Sequence, residues 1–284
     1  MNVGQQLING LVLASGYACV AIGWTVLLGA ARLVNFAHGQ LYMLGAFVAW
    51  AAMDRAGLSY WASIPVAVVA VGLLGAAMQR LMGRLMLEHN LTSLMIVTLG
   101  FGYVVQGGAA RIFGGEPHQL QSPLARGSIR MGELWLSGQD LLVFAVTAIL
   151  FTLVWFALER TRVGATVRAV AEDPKLAQLF GIDASLVYLG VFVFEAATVA
   201  FAATVVAPHS PILTSMGFDE VILTFVVVVL GGVGSVLGTL VASLGLGLFT
   251  AFFGALVSPA YTTAAAFAVV LAVLVLRPGG FAAK

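Results

Sequence analysis

Glu159–Asp183 reads ERTRVGATVRAVAEDPKLAQLFGID. It holds eight of the chain's twenty-five charged residues: Glu159, Arg160, Arg162, Arg168, Glu172, Asp173, Lys175 and Asp183. Uncharged, membrane-length runs flank it, Leu141–Leu158 before and Ala196–Phe218 after, apart from Glu195 between. A charged island between such runs must lie in water, and its arginines place it on the cytoplasmic side. The island is also patterned. Thr166–Ala171 can extend the incoming helix. Asp173 suits an N-cap with Pro174 in the first turn. Lys175–Phe180 supplies one or two turns, and Gly181 ends them. Two readings fit: a short helix offered to a soluble partner, or a solvated loop that satisfies the positive-inside rule.

Outward from the island, composition sets the class. The chain is 61% hydrophobic and 9% charged, against about 25% charged in soluble domains. Val221–Leu276 contains no Asp, Glu, Lys, Arg or His. Apolar segments near 20 residues without alternation mean helices, not barrel strands. The expected fold is therefore an all-α polytopic membrane protein. About eight transmembrane or re-entrant helices are expected, with broken short helices near residues 35–39 and 231–235. A net charge of +1 gives no footprint for nucleic acid. The single cysteine, Cys19, excludes an internal disulfide and a cysteine-based metal site. The N-terminus lacks the basic start of a cleaved signal, so the first span is expected to stay.

The first span, Gln5–Ala31, carries Gly10, Gly16, Gly23 and Gly29, which let helices approach closely. Arg32–Gly39 interrupts the apolar run, and Gln40–Met53 is short for a crossing. Trp61–Leu85 follows, with Tyr60 and Trp61 as interfacial anchors and Arg80, Arg84 and His89 at its cytoplasmic end. Leu91–Ala110 leads to the longest polar connection, Arg111–Asp140, read as external. Leu186–Ala207 ascends to an outer loop, Pro208–Glu220. Counting sides then makes Val221–Leu230 and Val236–Phe253 a re-entrant pair around Gly231–Ser235, and puts Arg277 and Lys284 inside. The same count sets the N-terminus inside. Backbone broken within a membrane must pack in protein or line a wet path. One broken segment in each half of the chain points to a translocation pathway.

Asn35 suits an N-cap, with His38 at the start of the short helix. Helix-end amides there can face an anionic group such as a carboxylate. Ser235 can cap the second broken helix. The alternative is that Asn35, His38 and Ser235 only satisfy backbone broken inside the membrane. Glu195 lies about a third to half of the way along its span, where a charge costs at least about 2–3 kcal/mol unless paired or hydrated. It is expected to face the pathway or a partner, or to be protonated.

At Leu33–Gly45, LVNFAHGQLYMLG, the chain resembles the N-F-A-H-G motif of permease subunits from ABC importers of the branched-chain amino-acid type, the "H" subunit. Three further stretches agree in order: Arg160–Asp183; Val228–Gly238, VVLGGVGSVLG; and Leu276–Phe281, LRPGGF. The resemblance implies one transmembrane permease domain over residues 1–284, with a cytoplasmic coupling loop at 159–183. It implies half of a pathway for branched-chain or hydrophobic amino acids or related small polar solutes, in the bacterial inner membrane. The implied partners are a second homologous permease, two cytoplasmic ATPases that bind ATP and Mg, and a periplasmic substrate-binding protein. Asn35, His38, Gly39, Glu195, Gly231, Gly232 and Ser235 are the pathway candidates. Glu172, Asp173, Pro174, Lys175 and Gly181 are the candidates for ATPase coupling, Glu172 and Asp173 by pairing with basic residues. Glu195 departs from the family pattern, which usually has a small residue there. A carboxylate near the path favours the ammonium of an amino acid, an amide or urea, or else is a structural contact to the partner permease; the alternative substrate classes are amides, urea or small organic acids. The sequence has no Gly-Lys pair and so no P-loop of its own. It has no H-E-x-x-H and no G-x-S-x-G, which leaves an enzyme unsupported. A self-sufficient secondary transporter or channel also fits broken helices.

Overall fold

A computed structural model describes residues 2–87, 91–125, 127–131 and 134–276. His89, Arg277 and Lys284, and all of Leu276–Phe281 beyond Leu276, lie outside the described residues, as does the side chain of Arg84. Eleven α-helices and one two-stranded hairpin make up the regular structure among the described residues, apart from two short 3-10 turns. Six helices are long and apolar enough to cross a membrane: α1 (Val3–Ala31), α3 (Tyr60–Leu87), α4 (Leu91–Phe113), α5 (Gly138–Arg160), α8 (Ala184–Val206) and α10 (Val236–Leu256). Three shorter apolar helices accompany them: α2 (His38–Asp54), α9 (Met216–Gly231) and α11 (Thr262–Leu276). The helices α6 (Arg162–Glu172) and α7 (Pro174–Leu179) carry the charged island. The chain is an all-α polytopic membrane protein.

The axis of the bundle is α1. Its small residues admit neighbours on several sides, as the sequence leads one to expect. Gly10 meets Leu248 and Ala251 of α10, and Gly29 meets Gly234. The hydroxyls of Thr25 and Thr239 join the same two helices at 2.9 Å. Gly23 faces the backbone of Glu195 in α8, where an added Cβ would come within 3.1 Å of the Glu195 carbonyl oxygen. Trp24, Leu27, Phe192 and Val226–Val228 fill one core around α1, and Val20, Tyr42, Phe47 and Val199 fill the other.

The two ends of the bundle differ. The island itself holds four basic and four acidic residues; with Arg32 after α1 and Arg80 near the end of α3 it shares a face that is basic on balance. The opposite face carries the hairpin β1 (Ser128–Met131) with β2 (Leu134–Ser137). That hairpin lies in the polar connection read from sequence as a plain loop, and Ser137 with Asp140 closes a capping box onto α5. Further ties cross this face. His118 and Ile212 form a β-bridge, Gln119 Nε2 donates to the Pro208 carbonyl at 3.1 Å, and His209 meets Asp140 at 2.8 Å.

Two sequence expectations are corrected here. Gln5 exchanges side-chain hydrogen bonds with the Trp135 backbone, donating at 3.1 Å and accepting at 2.9 Å. The N-terminus therefore sits on the hairpin face, opposite the island, and not on the same side. The reason is the second correction. The turn at 231–235 packs against Gly29, near the end of α1, and α10 follows α1 over its full length. So α9 and α10 are not a pair that turns half-way. Instead, α2 and α9 each complete a crossing that begins as non-helical chain, residues 32–37 before α2 and 210–215 before α9. That adds the crossing needed to move the N-terminus across. In a Cys19→Ala background, Val3→Cys and Ser128→Cys should label from one side with an impermeant thiol reagent, and Ala169→Cys from the other. Labelling of all three from one side defeats this topology.

Candidate functional site: a polar junction at mid-depth

Arg32 ends α1 in the left-handed conformation, φ 51°. Residues 32–37 then double back, so that α2 starts beside the middle of α8. Asn35 does not cap α2 directly. Its Oδ1 accepts from the Ala37 amide at 3.0 Å and its carbonyl from the His38 amide at 3.2 Å, a local turn that ends at the first helical residue. The Asn35 amide is thereby freed to donate to both oxygens of Glu195, at 3.0 and 2.9 Å. His38 Nδ1 lies 2.9 Å from Glu195 Oε1, within hydrogen-bond distance. Asn35, His38 and Glu195 are all fully buried. The His38 ring stacks on Trp24 at 4.9 Å. The Phe36 amide donates to Thr98 Oγ1 at 3.2 Å, tying the turn to α4.

The N-terminus of α2 thus does face a carboxylate, but one supplied by the chain itself and reached through side chains. Glu195 lines neither the cleft between α5, α6 and α8 nor the one beside Tyr60 and Trp61. A second helix start closes the junction. Gly39 and Gly217 meet backbone to backbone, and a Cβ on Gly217 would lie 2.7 Å from the Gly39 carbonyl oxygen. From this meeting point α2 runs to the hairpin face, where Arg55 donates to the Ile112 carbonyl, and α9 runs to the basic face. Two helix starts, each equivalent to about half a positive charge, converge. The Glu195 carboxyl group lies beside the first, through His38, and Asp219 lies in the first turn of the second. Buried polar atoms without a partner among the described residues cluster here: Trp24 Nε1, His38 Nε2 and both polar atoms of Gln40.

The structure brings Asn35, His38, Gly39 and Glu195 together. It places Gly231, Gly232 and Ser235 apart from them, in the turn beside Gly29. Ser235 caps α10, accepting from the Gly238 amide at 3.0 Å. Sequence reasoning missed Thr98, Gln40 and Gly217. Only Gln40, a polar side chain in an apolar run, carried a local signal. Among the described residues no group of His, Cys, Asp and Glu is arranged to hold a metal.

On the basic face, Thr161 breaks α5 from α6, so Thr166–Ala171 belong to a separate helix and do not extend the incoming one. Asp173 Oδ1 accepts from the Lys175 and Leu176 amides at 2.9 and 3.0 Å. Pro174 opens α7. Gly181, at φ 81°, closes it, donating to the Gln178 carbonyl at 3.0 Å. Glu172 and Lys175 are exposed. So are three apolar side chains: Leu176 at 51%, Leu179 at 83% and Phe180 at 79%.

An apolar helical bundle with two half-length helices meeting at an enclosed polar junction defines a polytopic membrane transport subunit. Residues 6–276 match the family described as branched-chain amino acid transport system / permease component, and the chain belongs to that family. It is a non-enzymatic permease component of an ABC transport system. It is 31% identical to the high-affinity branched-chain amino acid transport system permease protein BraD of Pseudomonas aeruginosa, over 97% of this chain and 94% of that one. It is 29% identical to the corresponding permease protein LivH of Escherichia coli, with the same coverage. Among solved structures it resembles PsaBC from Streptococcus pneumoniae in complex with Fab, with TM-score 0.50 and 14% identity, over 95% of this chain and 90% of that one. That likeness concerns the fold.

Proposed function

We propose that this chain is one of two homologous permeases that together form the path of an ATP-driven importer in the bacterial inner membrane. The basic face is cytoplasmic, where two ATPases bind ATP and Mg, and a periplasmic binding protein delivers the solute to the hairpin face. The names of the relatives favour branched-chain or other hydrophobic amino acids as that solute. The observation that carries the reading is α7. A single-turn helix, capped at both ends and presenting Leu176, Leu179 and Phe180 to water, is poorly explained as a solvated loop. Its exposed apolar side chains suit a groove on a soluble partner.

The test is the double substitution Leu179→Asp with Phe180→Asp. Neither side chain is a cap, so the loop should keep its shape. Expected is a chain that inserts normally, fails to pull down the ATPase, and loses uptake. Normal uptake in that variant sinks the coupling role. Glu172→Lys is the cleaner probe of charge pairing, because Asp173 is already engaged as a cap. It should weaken ATPase association by a smaller factor, of the order of one exposed ion pair, about 0.2–1 kcal/mol.

In the same reading the junction transmits motion. The Asp183 side chain caps α8 directly after the coupling loop, and Glu195 midway along α8 grips Asn35 and His38 at the start of α2. A displacement of α7 therefore reaches α2 through one helix and one carboxylate.

A further inference from the structure

We propose that the cleft between α5, α6 and α8 is a binding site for one acyl chain of an anionic phospholipid, with Arg162 holding the headgroup. The cleft has a volume of about 660 Å³, within the range of about 300–1,000 Å³ of ligand pockets. Its walls are Leu150–Leu158 of α5 and Leu186–Phe194 of α8, with Val163 and Val167 of α6 above and Val26 of α1 as floor. Arg162 is the one charged residue lining it.

Three observations select a lipid. The first is depth. Leu150 to Leu158, and Leu186 to Phe194, each cover about 12 Å of helix, most of one leaflet of a core about 30 Å thick. The cleft opens sideways between two membrane-length helices, with Leu153 and Leu186 exposed at its lips. It is a slot one leaflet deep that faces hydrocarbon.

The second is charge at the mouth. Arg160 lies over the Trp155 ring at 5.9 Å, and Arg168 donates to the Leu158 carbonyl. Arg162 has no carboxylate or ring partner among the described residues. A guanidinium at the interface, at the mouth of an apolar slot, matches a phosphate attached to an acyl chain. A protein helix would leave Arg162 without a matching anion unless it carried one at this height.

The third is Gly190. It lines the slot from the second turn of α8, and a Cβ built there meets nothing within 4 Å. The glycine is not required by close packing within this chain. Its effect is to keep the slot open.

The test uses the purified, delipidated full chain in detergent. It is offered phosphatidylglycerol or phosphatidylcholine with matched acyl chains, and retained lipid is counted by native mass spectrometry. Wild type should retain one phosphatidylglycerol per chain, about fivefold more tightly than phosphatidylcholine, the preference expected of one basic residue at an anionic headgroup. Arg162→Gln should abolish the preference and keep weak retention of both lipids. Gly190→Leu should abolish retention of both. Leucine favours the helix over glycine and the space is open, so that variant should fold. Equal retention of the two lipids by wild type, or wild-type retention by Gly190→Leu, overturns the proposal. So does the result that Leu153→Cys, in a Cys19→Ala background, cross-links to a protein partner in membranes instead of reacting with a photoactivatable acyl chain.

Discussion

Glu195→Ala is expected to lower uptake by more than about tenfold and to reduce the fraction of chain that survives heating in detergent. The substitution leaves Asn35 Nδ2 and His38 Nδ1 buried without an acceptor. Each stranded donor costs about 1–3 kcal/mol, and each 1.36 kcal/mol is a factor of ten. Glu195→Gln keeps the shape and one acceptor oxygen, so it should recover much of the stability. Its uptake should lie between the two. Because the three side chains act as one unit, adding Asn35→Ala to Glu195→Ala should cost far less than the single changes predict. Wild-type uptake and heat survival in Glu195→Ala defeats the junction's role. A different outcome would revive direct contact between Glu195 and solute: a Glu195→Gln protein that assembles fully yet transports a zwitterionic solute poorly and a neutral one normally.

Gly39→Ala is expected to be more damaging than the loss of any single hydrogen bond. An added Cβ would overlap the Gly217 carbonyl and lie 2.9 Å from Val221 Cβ. Both obstacles belong to a helix start fixed by its neighbours. Overpacking costs about 1–3 kcal/mol where side chains can yield, and here the nearest obstacle is backbone. The expected result is little chain recovered in folded form and no uptake. Gly107→Ala and Gly108→Ala are the controls, since nothing lies within 4 Å of a Cβ at either position. They should change stability by no more than about 0.5 kcal/mol. Comparable recovery of Gly39→Ala and the controls would mean that α2 and α9 do not meet as described.

Much of this architecture was legible because its signals are local. The Asp173, Pro174 and Gly181 spacing specified α7 to within a residue of its ends. Ser235 announced the start of α10, and the glycines of α1 announced the close approach of its neighbours. The interruption at Arg32–Gly39 was visible as polar residues in an apolar run. The second interruption was misplaced. Asp219 and Glu220 drew the helix start outward into a polar loop, whereas they occupy the first turn of α9. The side of the N-terminus followed from the first interruption, read as the start of a helix that goes only part-way, whereas α2 completes a crossing. The hairpin was hidden because four-residue strands flanked by polar chain carry little periodicity. The contact of Glu195 with Asn35 joins positions 160 residues apart, which no local pattern reports. Cost alone pointed to it: a broken backbone and a carboxylate each need a polar neighbour in hydrocarbon.

The meeting of α2 and α9 also bears on how the chain enters its membrane during synthesis. At 17 and 16 residues, both helices fall at or below the shortest length that spans a bilayer unaided, and each follows a stretch of non-helical chain. Neither is suited to leave the translocon for lipid by itself. Asn35 and His38 are made early, but their acceptor arrives only when α8 emerges, and the seat for Gly39 only when α9 does. The first hairpin of helices must therefore wait, shielded, until more than half of the chain has been delivered. A nascent chain that stops before Glu195 exposes an unpaired amide and imidazole to hydrocarbon, a ready mark for membrane proteases.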